Sequence, residues 1–191
     1  FSGISLKALD NARQAMKPLG PIRQLGFVVR DLDQAIRAWT DVGIGPFYVA
    51  ESPEKSDQLY FGEPTDSRVR GAWSYAGPMQ IELLQLMNDG PSLLRDFALR
   101  HGEGLQHKAY WVEMFDDVLE QLQEQDYIVG QTGSPLGEHS RFAYVFQPNR
   151  PESVIEISEY RGTKRALYEA IEGHAQNWDG RDPIRTSSPL A

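Results

Sequence analysis

The sequence contains no cysteine among its 191 residues. This absence excludes disulfides, zinc–thiolate sites and thiol catalysis, and it suits a cytoplasmic location. Positive charge is also scarce, since the formal net charge is −8. We therefore expect neither a nucleic acid nor an anionic membrane as a partner. No apolar run approaches the ~20 residues of a membrane-spanning helix, so no membrane insertion is expected.

The chain does contain an internal repeat. The segment IRQLGFVVRDLDQAI (22–36) is similar to LQHKAYWVEMFDDVL (105–119), and the two align at an offset of 83 positions. In this alignment Gln24 falls on His107, so each copy carries a polar side chain that can bind a metal at the same place. An internal repeat of this kind indicates a fold made of two equivalent units.

A second pair of similar segments follows later in each copy. MQIELLQL (79–86) aligns with SVIEISEY (153–160) at an offset of 74 positions, and Glu82 then falls on Glu156. Both glutamates lie in the middle of apolar, β-branched stretches that are typical of buried strands. Each repeat unit thus ends in a strand with a carboxylate at its centre.

Each unit contains runs of alternating or β-branched residues and one stretch of helical periodicity. Together they predict the element order βαβββ. These patterns predict an α+β protein. The predicted organisation is an N-terminal arm (1–20), a first βαβββ module (21–90), a linker helix (91–104), a second βαβββ module (105–160), and a C-terminal helix and tail (161–191).

The four repeat-related residues Gln24, Glu82, His107 and Glu156 form a candidate metal site. A carboxylate in an apolar strand is costly unless a partner compensates it. One nitrogen, one amide oxygen and two carboxylates suit a six-coordinate divalent ion, with positions left for water or substrate. We therefore predict one divalent metal ion per chain. The candidate ions are Co, Ni, Mn, Zn and Mg.

With these motifs the chain resembles the vicinal oxygen chelate superfamily, which includes glyoxalases, bleomycin resistance proteins and dioxygenases. The resemblance covers about residues 22–160. It implies two tandem βαβββ modules that form a cup-shaped mixed sheet around the metal. It also implies that the first and last strands of each module supply the ligands, which are the same four residues.

Three branches of the superfamily share some of these sequence features. Extradiol dioxygenases have an iron site with two histidines and one carboxylate. Gln24 stands in the first ligand position here, so iron oxygenation is not expected. Gln24 and Glu82 match some glyoxalase I members, and GIGPF (43–47) resembles a glyoxalase-like subgroup. The stretches IELLQL, DFALRHGEGLQHKAYWV and FQPNRPESVIEI resemble methylmalonyl-CoA epimerase-like proteins instead.

The resemblance implies a metal-dependent isomerase or lyase that moves a proton next to a carbonyl group, with epimerisation of an acyl-CoA as one form. Glu156 is the implied base, and Asp66 is the candidate second acid or base. A glyoxalase I-like lyase is the alternative activity. A small-molecule binding or resistance protein of the same fold is the alternative from another class.

Two further residues are candidates for substrate binding. His139 lies in the loop GSPLGEHSR, and Arg141 in the same loop can hold an anionic group. We expect a small carbonyl compound as the substrate. A homodimer is also expected, because cup-like sheets of this type leave strand edges and apolar helix faces uncovered.

Overall fold

The computed structural model describes residues 19–53 and 57–190. Residues 1–18 of the predicted arm lie outside the described residues. The helices are α1 (Leu32–Thr40), α2 (Leu93–His101), α3 (Phe115–Glu124) and α4 (Gly162–Gln176). The strands are β1 (Gln24–Val28), β2 (Phe47–Glu51), β3 (Leu59–Tyr60), β4 (Glu63–Pro64), β5 (Val69–Ala76), β6 (Met79–Leu86), β7 (Gly104–Val112), β8 (Ile128–Gly133), β9 (Phe142–Gln147), β10 (Arg150–Glu159) and β11 (Ile184–Arg185).

All of these strands belong to one mixed sheet in the order β11-β2-β5-β6-β1-β7-β10-β9-β8-β3-β4. The two halves meet where β1 pairs with β7 in antiparallel fashion. On either side of that seam, β1 pairs with β6 in parallel and β7 pairs with β10 in parallel. The predicted α+β fold of two βαβββ modules in a mixed sheet is therefore confirmed.

The strand register reproduces the internal repeat. Gly26 of β1 is opposite Glu82 of β6, and Ala109 of β7 is opposite Glu156 of β10. The offsets from Gly26 to Ala109 and from Glu82 to Glu156 are the 83 and 74 positions found in the sequence alignment. The repeat thus brings both glutamates to the two strands that flank the central pair.

Alternation along the strands separates an outer face from an inner face. On the outer face, Leu32 and Ile36 of α1 pack against Leu83 in a fully buried apolar cluster. Asp31 accepts a hydrogen bond from the Gln34 backbone N–H and caps the start of that helix. Helix α3 packs in the same way on the second module. Glu82 of β6 and Glu156 of β10 therefore face inward.

Two segments are more ordered than the sequence suggests. We interpret residues 51–67 from sequence as a polar loop, yet they contain β3 and β4, and β3 pairs with β8 of the second module. The polar tail after 176 forms β11, which pairs in parallel with β2. Both short strands depend on pairing with distant segments, which local patterns do not reveal. No helix within 19–53 and 57–190 is long and apolar enough to cross a membrane.

Candidate metal centre

Three buried side chains converge on one point of the inner face. The Nε2 atom of His107 lies 3.1 Å from Oε2 of Glu82 and 3.1 Å from Oε2 of Glu156. The three residues are between 1% and 7% exposed. Their candidate ligand atoms all lie within 4.8 Å of one another. This spacing suits coordination of a single cation by two carboxylate oxygens and one imidazole nitrogen.

The fourth predicted ligand, Gln24, lies on the same face and is oriented by a chain of hydrogen bonds. Its Nε2 donates to Oε1 of Gln80 at 2.8 Å, and Nε2 of Gln80 donates to the Tyr75 hydroxyl at 3.0 Å. This chain leaves Oε1 of Gln24 buried without a well-formed hydrogen bond. An amide oxygen held in this way is available as a neutral ligand.

The imidazole of His107 is fixed by a bulge in β7. Gly26 is opposite His107 while the next residue of β1 is opposite Leu105, so Gln106 is an extra residue in the strand. Its side chain therefore reaches the ring of its neighbour, and Nδ1–H of His107 donates to Oε1 of Gln106 at 2.7 Å. This hydrogen bond directs Nε2 toward the two glutamates, where it can give up its proton to bind a metal.

Gly26 provides the space in which the His107 ring lies. A Cβ atom at position 26 would fall 1.9 Å from Cε1 and 2.2 Å from Nε2 of that ring. No side chain larger than hydrogen fits at such distances unless the ring moves. Gly26 is thus part of the site because it has no side chain that would displace the His107 ring.

The two glutamates have different neighbours. Glu82 accepts a hydrogen bond at 2.8 Å from Nε1 of Trp73, which leaves Oε2 of Glu82 without a hydrogen bond. Glu156 instead interacts with the Ser158 hydroxyl, which lies two residues further along β10 on the same face. Ser158 Oγ in turn accepts a hydrogen bond from Nζ of Lys164 at 2.5 Å.

The electrostatics of the site favour a positive charge between the three side chains. Burial alone lowers the pKa of His107, but Glu156 and Glu82 outweigh burial and raise that pKa to about 9. Burial alone raises the pKa of Glu156, but His107, Lys164 and Ser158 together hold it below its ordinary value. Two carboxylates and an imidazole lone pair that meet at 3.1 Å repel one another unless a proton or a metal ion lies between them.

A cavity of about 200 Å³ opens beside Glu82 and Glu156. Its walls are mainly apolar and aromatic, and helix α4 supplies part of them. The lining includes Leu84, Leu94, Trp73, Phe142, Tyr144, Lys164, Leu167 and Tyr168. Because α4 follows β10, the residues after the second module complete the cavity.

The other predicted site residues do not line this cavity. Asp66 is exposed, and only its backbone oxygen accepts a hydrogen bond, from Asn88. His139 and Arg141 line a separate outer depression of about 510 Å³. There Arg141 is paired with Asp116 at 2.8 Å and with Glu159 at 2.9 Å, so its charge is already compensated. These positions give no support to the predicted roles of Asp66, His139 and Arg141 in catalysis or substrate binding.

With this geometry established, comparison with known proteins is informative. The family model described as Glyoxalase/Bleomycin resistance protein/Dioxygenase superfamily matches residues 23–145. The chain belongs to this superfamily. The predicted resemblance is therefore confirmed. No curated protein sequence matches the chain.

Solved structures share the fold at low sequence identity. Methylmalonyl-CoA epimerase from Mycobacterium tuberculosis is 21% identical, with a TM-score of 0.55 over 76% of this chain and 91% of that chain. A hypothetical protein from Bacillus halodurans C-125 is 15% identical, with a TM-score of 0.54 over 75% and 96% of the two chains. A methylmalonyl-CoA epimerase variant from Streptomyces coelicolor, in complex with 2-nitronate-propionyl-CoA, is 16% identical, with a TM-score of 0.51 over 72% and 92%.

Sequence reasoning missed the residues that support the ligands. Gln106 and Gly26 are placed by the bulge and by the approach of β7 to β1, and neither feature has a local signal. Trp73 has no sequence signal that marks it as the hydrogen-bond donor to Glu82. Lys164 lies beyond the repeat, in a helix whose position over the sheet the sequence does not reveal.

Proposed function

We propose that this chain is a metal-dependent isomerase or lyase that transfers a proton next to the carbonyl group of a small substrate. The observation that supports this proposal is the convergence of Glu82, His107 and Glu156 on one point. Oε2 of Glu82 and Nε2 of His107 are both buried there without a hydrogen bond. Buried polar atoms are rarely left in this state without a missing partner.

The donor set fits a divalent metal ion. Gln24, Glu82, His107 and Glu156 would hold the ion, and the ion would supply Lewis acidity toward a carbonyl oxygen. Hydrogen bonds to Gln80 and Gln106 and from Trp73 orient the ligands, as second partners do in most protein metal sites.

Glu156 is the proposed base. Both glutamates border the cavity, but Glu82 is held by the indole of Trp73 at 2.8 Å. Glu156 is in contact with a hydroxyl, and hydroxyls rotate easily to follow a moving carboxylate. A base must be within hydrogen-bond reach of the proton that it removes, and the cavity next to Glu156 provides that position.

The cavity restricts the substrate. A volume of about 200 Å³ is smaller than the ~300–1,000 Å³ of pockets that enclose drug-sized ligands. The reacting part of the substrate is therefore compact and carries apolar groups. Epimerisation of a short acyl-CoA is the finer activity that we propose, with only the acyl part enclosed. A homodimer stays a prediction of the sequence.

The test has two readouts. The protein is purified, stripped with chelator, dialysed against Mn²⁺ or Ni²⁺, and its metal content is determined by elemental analysis. We expect about one ion per folded chain, and sharply less for Glu82→Ala. Solvent deuterium incorporation next to the carbonyl of short acyl-CoAs is then followed by NMR and mass spectrometry. A folded chain that takes up no metal and exchanges no proton would refute the proposal.

A further inference from the structure

A buried lysine on helix α4 reaches the same cavity. Lys164 is only 3% exposed, although lysine is among the residues least often buried. It is part of the cavity lining together with Glu82 and Glu156. It lies outside the superfamily match, which ends at residue 145.

The hydrogen bonds of Lys164 are made to neutral groups rather than to a carboxylate. Nζ donates to Oγ of Ser158 at 2.5 Å and to the backbone oxygen of Ser140 at 3.4 Å. Both acceptors are neutral. Among the described residues, no carboxylate forms an ion pair with Lys164 within 4.0 Å. Because an ammonium group has three donors, one remains after these two bonds.

Lys164 is not held by a direct ion pair. Its charge helps to lower the pKa of Glu156, to which it is linked through the Ser158 hydroxyl. A buried cation without a direct ion pair is costly, and a ligand or partner can compensate it. Lys164 borders the cavity, so a group that enters the cavity can supply that partner.

The charges of the site with a divalent metal ion bound lead to the same conclusion. The carboxylates of Glu82 and Glu156 would balance the two charges of a divalent cation. The charge of Lys164 is then left over inside a mainly apolar cavity. Glu51 and Asp57, which also border the cavity, are exposed to solvent and are screened. A ligand with one negative charge would make the interior neutral.

We infer that Lys164 is a specificity-determining residue that binds a carboxylate of the substrate. The substrate class is then a compact carbonyl acid with an apolar side chain, rather than a neutral carbonyl compound. The carboxylate would accept the third N–H of Nζ, and hydrogen bonds between charged groups are the strongest of their kind. This inference rests on the proposed function only for the place of the carbonyl group.

A matched pair of probes tests the inference by binding rather than by turnover. The probes are 4-methyl-2-oxopentanoate and 4-methyl-2-oxopentanamide, which share a shape and differ in charge. Affinity is measured by titration calorimetry and by quenching of tryptophan fluorescence, since Trp73 borders the cavity. Both the Mn²⁺-loaded and the metal-free protein are titrated, because a bound metal itself favours the carboxylate.

We expect the parent protein to bind the acid about 10- to 100-fold more tightly than the amide, in both forms. Lys164→Met should remove this preference in the metal-free protein and reduce it about 10-fold or more in the loaded protein. Amide binding and metal content should change little. Arg165→Met removes an exposed positive charge from the same helix and should keep the preference.

Three outcomes would overturn the inference. The metal-free parent shows no preference for the acid, or Lys164→Met keeps the parent's preference, or that variant loses both probes equally. If Lys164→Met does not fold, Lys164→Gln keeps a polar side chain without the charge, and the metal-free parent is decisive by itself. A chain without metal uptake refutes the proposed function yet still permits this test. Normal metal uptake without any Lys164-dependent preference refutes this inference alone.

Discussion

The two modules share one backbone plan and differ in how they hold their ligands. In the first module, Gln24 is fixed through Gln80, and Glu82 is fixed by the indole of Trp73. In the second module, His107 is fixed by its neighbour Gln106, while Glu156 is in contact with the Ser158 hydroxyl. The cavity borders both glutamates, and Ser158 is linked in turn to Lys164 of α4.

Under the proposed function, this difference separates a rigid half from a reactive half. A planar indole held in a packed strand offers one fixed donor, whereas a hydroxyl can rotate with its acceptor. The repeat brings Glu82, His107 and Glu156 to one point with Gln24 on the same face, while the residues around them differ between the modules. A change in one module can therefore be compared with a matching change in the other.

The largest effect is expected from Glu156→Gln. This change keeps an oxygen donor and removes the proton acceptor, so metal content should stay near that of the parent. Solvent deuterium exchange next to the substrate carbonyl should fall by ~100-fold or more, which is usual for the loss of a general base. Metal content and exchange rate are measured on the same preparation.

The counterpart is Glu82→Gln. We expect it to weaken metal binding and to recover most of its exchange activity at saturating Mn²⁺, because Glu82 acts as a ligand only. If Glu82→Gln loses exchange at full metal loading while Glu156→Gln retains it, the assignment of the base is reversed.

The next effect concerns the empty space at Gly26. Gly26→Ala places a methyl group about 2 Å from ring atoms of His107, so the ring must leave its position. We expect metal affinity to fall by about 100-fold, at the upper end of the effects of residues around metal ligands. Competition with a fluorescent chelator measures the affinity.

Ala109→Gly is the matched change in the other module, because Ala109 is the repeat counterpart of Gly26. It should cost about 1 kcal/mol of stability, through backbone entropy, and leave metal affinity near the parent value. An equal loss of metal affinity in both variants would mean that Gly26 acts through general stability and not through the His107 ring.

A smaller effect is expected from Trp73→Phe. The variant keeps the aromatic ring and removes the N–H that holds Glu82 at 2.8 Å. Metal affinity should drop about 10-fold, with circular dichroism unchanged. Ser158→Ala is the corresponding change beside Glu156, and we expect it to alter proton exchange more than metal affinity. The reverse pattern would contradict the division into a rigid and a reactive half.

The sequence predicts the parts of this molecule that the repeat fixes. The α+β fold and the inward position of both glutamates follow from two aligned segments and from strand alternation. The rest depends on contacts between distant segments. The bulge at Gln106 depends on the register between β1 and β7. Strand β3 pairs with a strand of the other module. Lys164 reaches the cavity only because α4 folds over the sheet. The predicted role of Arg141 gains no support, because its ion pairs with Asp116 and Glu159 join residues that are distant in sequence.

The smallest effect concerns stability in the outer cluster, away from the metal centre. Hydrogen bonds from Arg141 hold the pKa of Glu159 below its ordinary value. A carboxylate whose pKa is lower in the folded state contributes stability above its unfolded pKa of about 4.3 and loses it as the pH falls through the folded pKa.

Arg141→Met should therefore lower the free energy of unfolding by about 1 kcal/mol at pH 7, as expected for a partly exposed ion pair. Urea unfolding at pH 7, 5, 4 and 3 should show this difference shrinking below pH 4.3, while Arg165→Met changes little at any pH. A difference that persists at pH 3 would mean that Arg141 stabilises the fold by packing on the Phe115 ring, 4.5 Å away, and not by its charge.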